Sequence, residues 1–290
     1  MNRREFVAAS AALASAGNLA AARLPIRKAV WSGMLPKGTW EERVRVARAA
    51  GFEELELPTM PDMKEAETAK KAAEAAGIRI HSVMNQAHWN FPLSSADPEV
   101  VAKSIHGMET SLQNAKLWGA ETVLLVPAVV NKDVGYKDAW DRSVKAIRKL
   151  LPMAEKMKVI IAVENVWNKF LLSPIEFNNY VDQFKSPYVK AYFDVGNIVL
   201  YGFPQDWIRT LGKRIVKLHF KDFSFRRDQT IKKPAADFCA LREGDVDWKA
   251  VHQALTEIGY KGTATVELPG GDEAYLREVS RRVDLILEGA

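Results

Sequence analysis

Four short apolar runs in the second half of the chain each end on a side chain able to ligate a metal ion. Val159–Val163 leads into Glu164-Asn165, Val189–Phe193 into Asp194-Val195-Gly196-Asn197, Ile215–Leu218 into His219-Phe220-Lys221-Asp222, and Thr263–Val266 into Glu267-Leu268-Pro269. Taken singly, each has an ordinary use: an Asp or Glu at a strand end commonly caps the helix that follows, and a lone His is often a hydrogen-bonded core residue. Taken together they form a ligand set. Three carboxylates gathered away from bulk water repel one another and call for a cation. With one imidazole they suit an octahedral or near-octahedral ion with open positions, Mn²⁺, Mg²⁺ or Co²⁺. Zn²⁺ is the less natural choice, since it favours thiolates or more histidines. Glu164, Asp194, His219 and Glu267 are therefore the candidate ligands of one divalent metal ion.

Whether they meet depends on the elements that carry them. Short runs rich in Val, Ile, Leu and aromatics recur along the chain at Lys28–Trp31, Phe52–Leu57, Ile78–Met84, Thr122–Pro127, Val159–Glu164, Val189–Asp194, Ile215–His219 and Thr263–Glu267, and each reads as a strand. Helical periods lie between them. Asp97–Trp118 repeats apolar residues at helix spacing, and Lys137–Met157 places Trp140, Val144, Ile147, Leu151 and Ala154 on one stripe. Ser173-Pro174 and Asp97-Pro98 read as helix starts. Gly51, Gly77, Gly119 and Gly259 each close a helix just before a strand. Eight strands alternating with eight helices require a mainly parallel sheet. Trp31-Ser32-Gly33-Met34-Leu35-Pro36 lacks the glycine fingerprint of an open dinucleotide-binding sheet. The expected fold is α/β, a single (β/α)₈ TIM barrel. In that fold the C-terminal strand ends share one mouth, so strands five to eight would bring the four candidate ligands together.

The first residues stand apart. Met1–Ala22 opens with Arg3-Arg4, continues through a weakly apolar Ala-rich run to Leu19 and ends on Ala20-Ala21-Ala22. That is the order of a secretory signal, and the paired arginines resemble a twin-arginine signal peptide, which implies passage of an already folded protein through the export machinery. The expected division is residues 1–22 as signal and 23–290 as barrel, with an exported protein, periplasmic or extracellular. The remaining 268 residues (290 less 22) fit one α/β barrel of roughly 250 residues. Removing residues 1–22 lowers the formal charge from +5 to +4, because Arg3, Arg4 and Glu5 leave. Basic and acidic residues interleave on the helices, so no nucleic-acid partner is expected. Cys239, the single cysteine, excludes an intrachain disulfide and reads as a small filler.

The motifs Gly51-Phe52-Glu53-Glu54-Leu55-Glu56, Val163-Glu164-Asn165, Phe193-Asp194-Val195-Gly196-Asn197, Leu218-His219-Phe220-Lys221-Asp222, Gly244-Asp245-Val246-Asp247-Trp248 and Val266-Glu267 resemble those of the xylose-isomerase-like barrel superfamily of sugar-phosphate isomerases and epimerases, 3-epimerases and hydroxypyruvate isomerases. The resemblance spans almost the whole of residues 23–290. It implies one divalent metal held by Glu164, Asp194, His219 and Glu267, with Glu164 and Glu267 also catalytic, one removing a proton beside a carbonyl and the other returning it, through an enediolate. A small-molecule carbohydrate is the implied substrate, and a homo-oligomer is compatible with the pattern. Candidate substrate-binding residues are Glu56 at the end of strand two, His88 in the loop Asn85–Asn90, Asn197, Lys221 and Arg242, with Trp31, Trp89 and Trp167 as candidate flat walls. Asn197 stands where several epimerases have a substrate-contacting His, which weighs against 3-epimerase action on free ketoses. The long basic segment Phe223–Leu241 reads as a loop that covers the mouth or lies solvated.

Three other functions compete. Enolisation followed by elimination would make the protein a dehydratase or lyase on a keto-sugar or keto-inositol, and a complete ligand set is also compatible with a non-catalytic sugar-binding barrel. The abasic-site endonuclease branch is rejected. Its multi-zinc cluster needs several more histidines, and of His81, His88, His106, His219 and His252 two fall on helices.

Overall fold

All eight apolar runs form strands, and their pairing closes a barrel. The computed structural model describes residues 22–226 and 235–290; the expected signal segment thus lies almost wholly outside the described residues. The barrel strands are β1 (Arg27–Trp31), β2 (Glu54–Pro58), β3 (Arg79–Met84), β4 (Thr122–Leu125), β5 (Ile160–Glu164), β6 (Val189–Asp194) and β7 (Ile215–Phe220), and β10 (Thr263–Val266) follows the two-stranded ribbon β8 (Asp222–Arg226) and β9 (Ala235–Cys239). Every barrel pair is parallel, and β10 closes the ring between β7 and β1. The helices are α1 (Trp40–Ala49), α2 (Met63–Ala75), α3 (Pro98–Trp118), α4 (Tyr136–Met157), α5 (Pro174–Asp182), the single turn α6 (Val195–Ile198), α7 (Pro204–Leu211), α8 (Trp248–Glu257) and α9 (Glu273–Leu287). The architecture is the (β/α)₈ TIM barrel.

Strands β2, β3 and β5 begin one or two residues later than the apolar runs suggest, for a common reason. The Phe52, Ile78 and Val159 amides donate back to Ala47, Ala73 and Ala154 carbonyls, closing the preceding helices after Gly51, Gly77 and Lys158 in the left-handed region. An apolar residue at that position belongs to the helix stop and packs against it. Strand β4 stops at Leu125 because the next amide, Val126, is taken by His88 Nδ1 at 3.4 Å.

Packing divides the buried residues in two. The main core fills the space between strands and helices; α5 shows how a nine-residue helix holds on to it. Ser173 caps it, Pro174 occupies its first turn, and Phe177, Tyr180 and Val181 are buried, each side chain contributing about 2 kcal/mol. Inside the barrel Leu124, Ala162 and Tyr192 form a small apolar cluster with Met84, Ile160 and Val216 packed against it, and the side chains around it are largely polar. At the N-terminal end Lys217 Nζ lies 2.8 Å from Glu121 and 3.4 Å from Thr263 Oγ1, and Thr263 donates to Glu54 at 2.6 Å. Side chains on a strand repeat on one face every second residue. Lys217 and His219, Thr263 and Thr265, and Glu54 and Glu56 therefore stack in layers up the axis.

The segment Phe223–Leu241, expected as a loop, instead begins and ends as the antiparallel ribbon β8–β9, with Asp222 opposite Cys239 and Phe223 opposite Phe238. Arg227, Lys232 and Lys233 lie outside the described residues. The buried carboxylate of Asp222 fixes the ribbon to the barrel. Its Oδ1 accepts from the Phe223 and Val246 amides, and its Oδ2 from the Arg242 amide and the Trp248 indole. Gly244 leaves room for this, since a Cβ there would meet Asp222 Oδ1 at 2.2 Å. Replacing Asp222 by Asn would turn an NH₂ group toward N–H donors and leave a buried donor unpaired. Asp222→Asn should lower unfolding free energy by about 2–4 kcal/mol, read as a lower urea midpoint at unchanged slope; an unaltered midpoint would refute the anchoring role.

Candidate metal centre

The barrel order makes neighbours of the four candidate ligands. Glu164 and Asp194 end their strands, His219 is one residue from the end of β7, and Glu267 follows β10. His219 pairs with Asp194 on one side and Thr265 on the other. One donor atom from each of Glu164, Asp194, His219 and Glu267 lies within 4.8 Å of the other three. An ion about 2.0–2.4 Å from each donor holds its ligands at most about 4–5 Å apart, so the spread fits a single ion. His219 Nδ1 stands 2.8 Å from Glu164 Oε1, 3.1 Å from Glu267 Oε2 and 3.8 Å from Asp194 Oδ2.

Asp194 carries both roles its type allows. Oδ1 accepts the Asn197 amide at 2.8 Å and caps α6, while Oδ2 is buried, turned to the cluster and accepts no hydrogen bond of good geometry. The Lys221 ammonium lies 3.1 Å from that oxygen and 2.7 Å from Glu267 Oε2, standing in for part of the positive charge of a cation. An acceptor oxygen left without a donor beside two other carboxylates and an imidazole nitrogen is what a hard divalent ion would fill. Lys221 approaches so closely because of Gly196, where a Cβ would meet the Lys221 Cβ at 2.7 Å.

The charges pull against burial. Burial pushes the Glu164 carboxyl up to about 7 even though His219 and Lys221 oppose it, and it likewise raises Asp194. Burial also pushes Glu267 up, but Lys221 and His219 outweigh it and hold this carboxyl well below the usual range. His219 and Lys221 are desolvated too, yet the surrounding carboxylates keep both protonated in the metal-free chain.

Of the five expected substrate contacts, three sit elsewhere. Glu56 has no accessible surface; it lies beneath His219, 2.8 Å from Nε2, because β2 runs on two residues beyond it to Pro58 and leaves it a layer below the mouth. The Asn197 side chain donates to the Asn165 carbonyl at 2.9 Å, and Asn165 in turn brackets the Asp194 backbone with both amide atoms; Asn197 thus secures the turn. Arg242 adopts a left-handed φ of 70° and sends its guanidinium to the Ala290 carbonyl, away from the mouth. Lys221 reaches Glu267, as its spacing from His219 suggests. His88 is buried beside the mouth, where desolvation lowers it to about 4 despite the charge of Glu267. Its Nδ1 accepts the Val126 amide, which puts its proton on Nε2.

Bordered by Glu267, the one ligand of the four that lines it, is a cavity of about 430 Å³ whose walls are Trp31, Phe238, Leu268 and Pro269, with Lys221 and Asp237 as its other polar groups. Trp167 backs Phe238 in a stack at 4.9 Å, and Trp89 stands exposed against His88. Phe238 and Asp237 are the wall residues that the sequence reading missed. The alternation in Asp222-Phe223-Ser224-Phe225 and Asp237-Phe238-Cys239 was the available signal, masked by the basic run between. A larger hollow, about 720 Å³, opens at the opposite end of the barrel among lysines and has no ligand-type cluster among the described residues.

Residues 44–284 match the family model described as xylose isomerase-like TIM barrel. The chain belongs to that family. Its curated relatives include the L-ribulose-5-phosphate 3-epimerase UlaE of Salmonella paratyphi A, 26% identical over 257 residues, covering 82% of this chain and 86% of that protein. Among solved structures, an L-ribulose 3-epimerase superposes with a TM-score of 0.76 at 18% identity, covering 91% of this chain and 95% of that one. The 3-keto-D-glucoside 4-epimerase YcjR from E. coli does so with 0.74 at 11%, covering 90% and 98%. These two likenesses are of fold.

If the quartet holds an ion, the metal-free protein carries repulsion that Lys221 and the His219 proton relieve only in part and that loading removes. Mn²⁺ at about 100 times its Kd should add about 2.7 kcal/mol and raise the thermal midpoint by about 5 °C or more. Asp194→Ala should abolish that rise. A midpoint indifferent to Mn²⁺, Mg²⁺ and Co²⁺ alike would rule the centre out.

Proposed function

We propose that the protein is a divalent-metal-dependent sugar isomerase or epimerase that moves a proton between Glu164 and Glu267. One observation carries the reading: both glutamate carboxylates converge on the same histidine nitrogen, at 2.8 and 3.1 Å, and Glu267 borders an aromatic-walled cavity. The curated relatives, named as sugar epimerases, support the reaction class. The ligands are Glu164, Asp194, His219 and Glu267, and their oxygen-rich chemistry favours Mn²⁺, Mg²⁺ or Co²⁺ over Zn²⁺.

When bound, the ion supplies a positive charge beside the carbonyl and hydroxyl oxygens of the substrate, easing loss of the proton on the carbon between them. The rest falls to side chains. One glutamate takes that proton; the other returns one to the opposite face, inverting the centre, or to the neighbouring carbon, shifting the carbonyl. Two carboxylates suit this because a carboxylate and a carboxylic acid exchange roles at each turnover. Lys221, 2.7 Å from Glu267, steadies that carboxylate in its charged form. Trp31 and Phe238 offer flat apolar faces to the C–H side of a sugar and exclude water from the reacting carbon.

Incubation of the Mn²⁺-loaded protein with a panel of ketoses in deuterated water should give exchange of one C–H proton and a product of unchanged mass apart from deuterium. Glu164→Gln and Glu267→Gln should each reduce turnover by roughly 10²–10⁴-fold. A product lighter by water would assign elimination instead, and no exchange with any keto-sugar would sink the enzymatic reading.

The same reading includes export: residues 1–22 serve as a twin-arginine-type signal and 23–290 as the mature barrel, supported by Arg3-Arg4 and the Ala-rich run to Ala22. Replacing Arg3 and Arg4 together by Lys should retain the protein in the cytoplasm of a bacterial host. Equal distribution of the two forms between compartments would refute it.

A further inference from the structure

Beneath the four candidate ligands lies a layer of the barrel that is polar where bulky aliphatic side chains are customary. Glu56, His81, Tyr192, His219 and Thr265 have no accessible surface, and they form one connected chain. His219 Nε2 lies 2.8 Å from Glu56 Oε2. The Tyr192 hydroxyl lies against the Glu56 carboxylate, whose Oε1 is buried and accepts no hydrogen bond of good geometry. The same hydroxyl is 3.2 Å from Thr265 Oγ1, and Thr265 Oγ1 is 2.9 Å from His81 Nε2.

The proton positions along this chain follow by elimination. His81 is held neutral by burial and by the nearby cations Lys217 and Arg79, so it has one N–H and one lone pair. Its Nδ1 is buried without a partner. The N–H therefore sits on Nε2 and donates to Thr265, which passes its own hydroxyl proton to Tyr192, and Tyr192 is left to donate toward Glu56. Every donor runs in one direction and the chain ends on a carboxylate. That carboxylate then accepts from His219 Nε2 as well, so the proton that His219 gives up on binding an ion is the one on Nδ1, and the lone pair then lies on the nitrogen that faces Glu164, Asp194 and Glu267.

We propose that Glu56 is a positioning residue that fixes the tautomer and ring orientation of His219, with the His81–Thr265–Tyr192 chain holding Glu56 in place, so that Nδ1 is presented as a metal ligand. The inference rests on the metal-centre reading and adds a residue to it that never touches substrate. A connected polar chain of this kind does not stabilise a barrel better than a packed apolar layer. A ligating His that hands its other N–H to a carboxylate has instead a sharper metal preference and orientation.

The test uses the full-length protein stripped of metal. Mn²⁺ titration, following free Mn²⁺ by electron paramagnetic resonance, should show Glu56→Gln binding about 10–100-fold more weakly than the wild type. With Zn²⁺ as a diamagnetic probe, ¹⁵N resonances of labelled histidine should place the His219 proton on Nε2 in the wild type and show both tautomers in Glu56→Gln, because an amide can donate as well as accept. Tyr192→Phe keeps the ring that packs on His219 at 4.5 Å and removes only the hydroxyl; it should weaken Mn²⁺ a few-fold and decides the matter if Glu56→Gln does not fold. A merely structural Glu56 would lower the metal-free thermal midpoint without moving tautomer or affinity. Wild-type affinity in both variants, or a loaded wild type with its proton on Nδ1, overturns the proposal alone. Failure of the wild type to take up Mn²⁺, Mg²⁺ or Co²⁺ overturns the metal centre and this inference together.

Discussion

Three carboxylates share the surroundings of a single imidazole nitrogen, two of them buried and the third, Glu267, only partly open to water. Nearly everything at the C-terminal end of the barrel is arranged around that concentration of negative charge. Lys221 leans over Asp194 and Glu267, and Gly196 is small so that it can. His219 is held charged in the metal-free chain by the same neighbours. Opposite charges this close and this buried attract strongly, but each also loses its hydration. The balance is specific to one geometry, and it is one that a divalent ion could take over by replacing the lysine and the histidine proton.

The geometry is held by backbone bonds more than by the ligands themselves. Asn165 clasps the Asp194 backbone with both ends of its amide, Asn197 clasps Asn165, and Asp194 gives one oxygen to the turn and the other to the cluster. A residue that is at once helix cap and ligand cannot swing, since moving the carboxylate would undo the turn. This rigidity is what a centre with little tolerance for misplacement needs.

Much of this was legible in the sequence, and the limits are instructive. The barrel followed from strand-helix alternation and from glycines after helices, a signal repeated often enough to survive errors at single boundaries. The boundaries erred where Phe52, Ile78 and Val159 close helices instead of opening strands, a distinction that apolarity alone does not carry. The convergence of Glu164, Asp194, His219 and Glu267 was readable because strand order fixes it. Glu56, Asn197 and Arg242 were misplaced because the direction of a side chain depends on register and local turns: Glu56 sits one layer too deep, Asn197 is consumed by the turn, and Arg242 turns outward at a left-handed residue. The ribbon was hidden by the basic run at its centre, which suppresses the alternation of its two short strands.

That ribbon divides labour in the molecule. The ligand quartet belongs to the barrel wall, whereas Phe238 and Asp237 reach the cavity on a hairpin inserted after β7 and bolted down by Asp222. The two parts share a boundary but not a ladder of hydrogen bonds. Sequence drift in the hairpin can therefore redraw the shape and polarity offered to a ligand while the ion-type cluster below stays untouched. Chains with the same quartet would be free to diverge in what they admit, and the hairpin is where a change of diet would be written first.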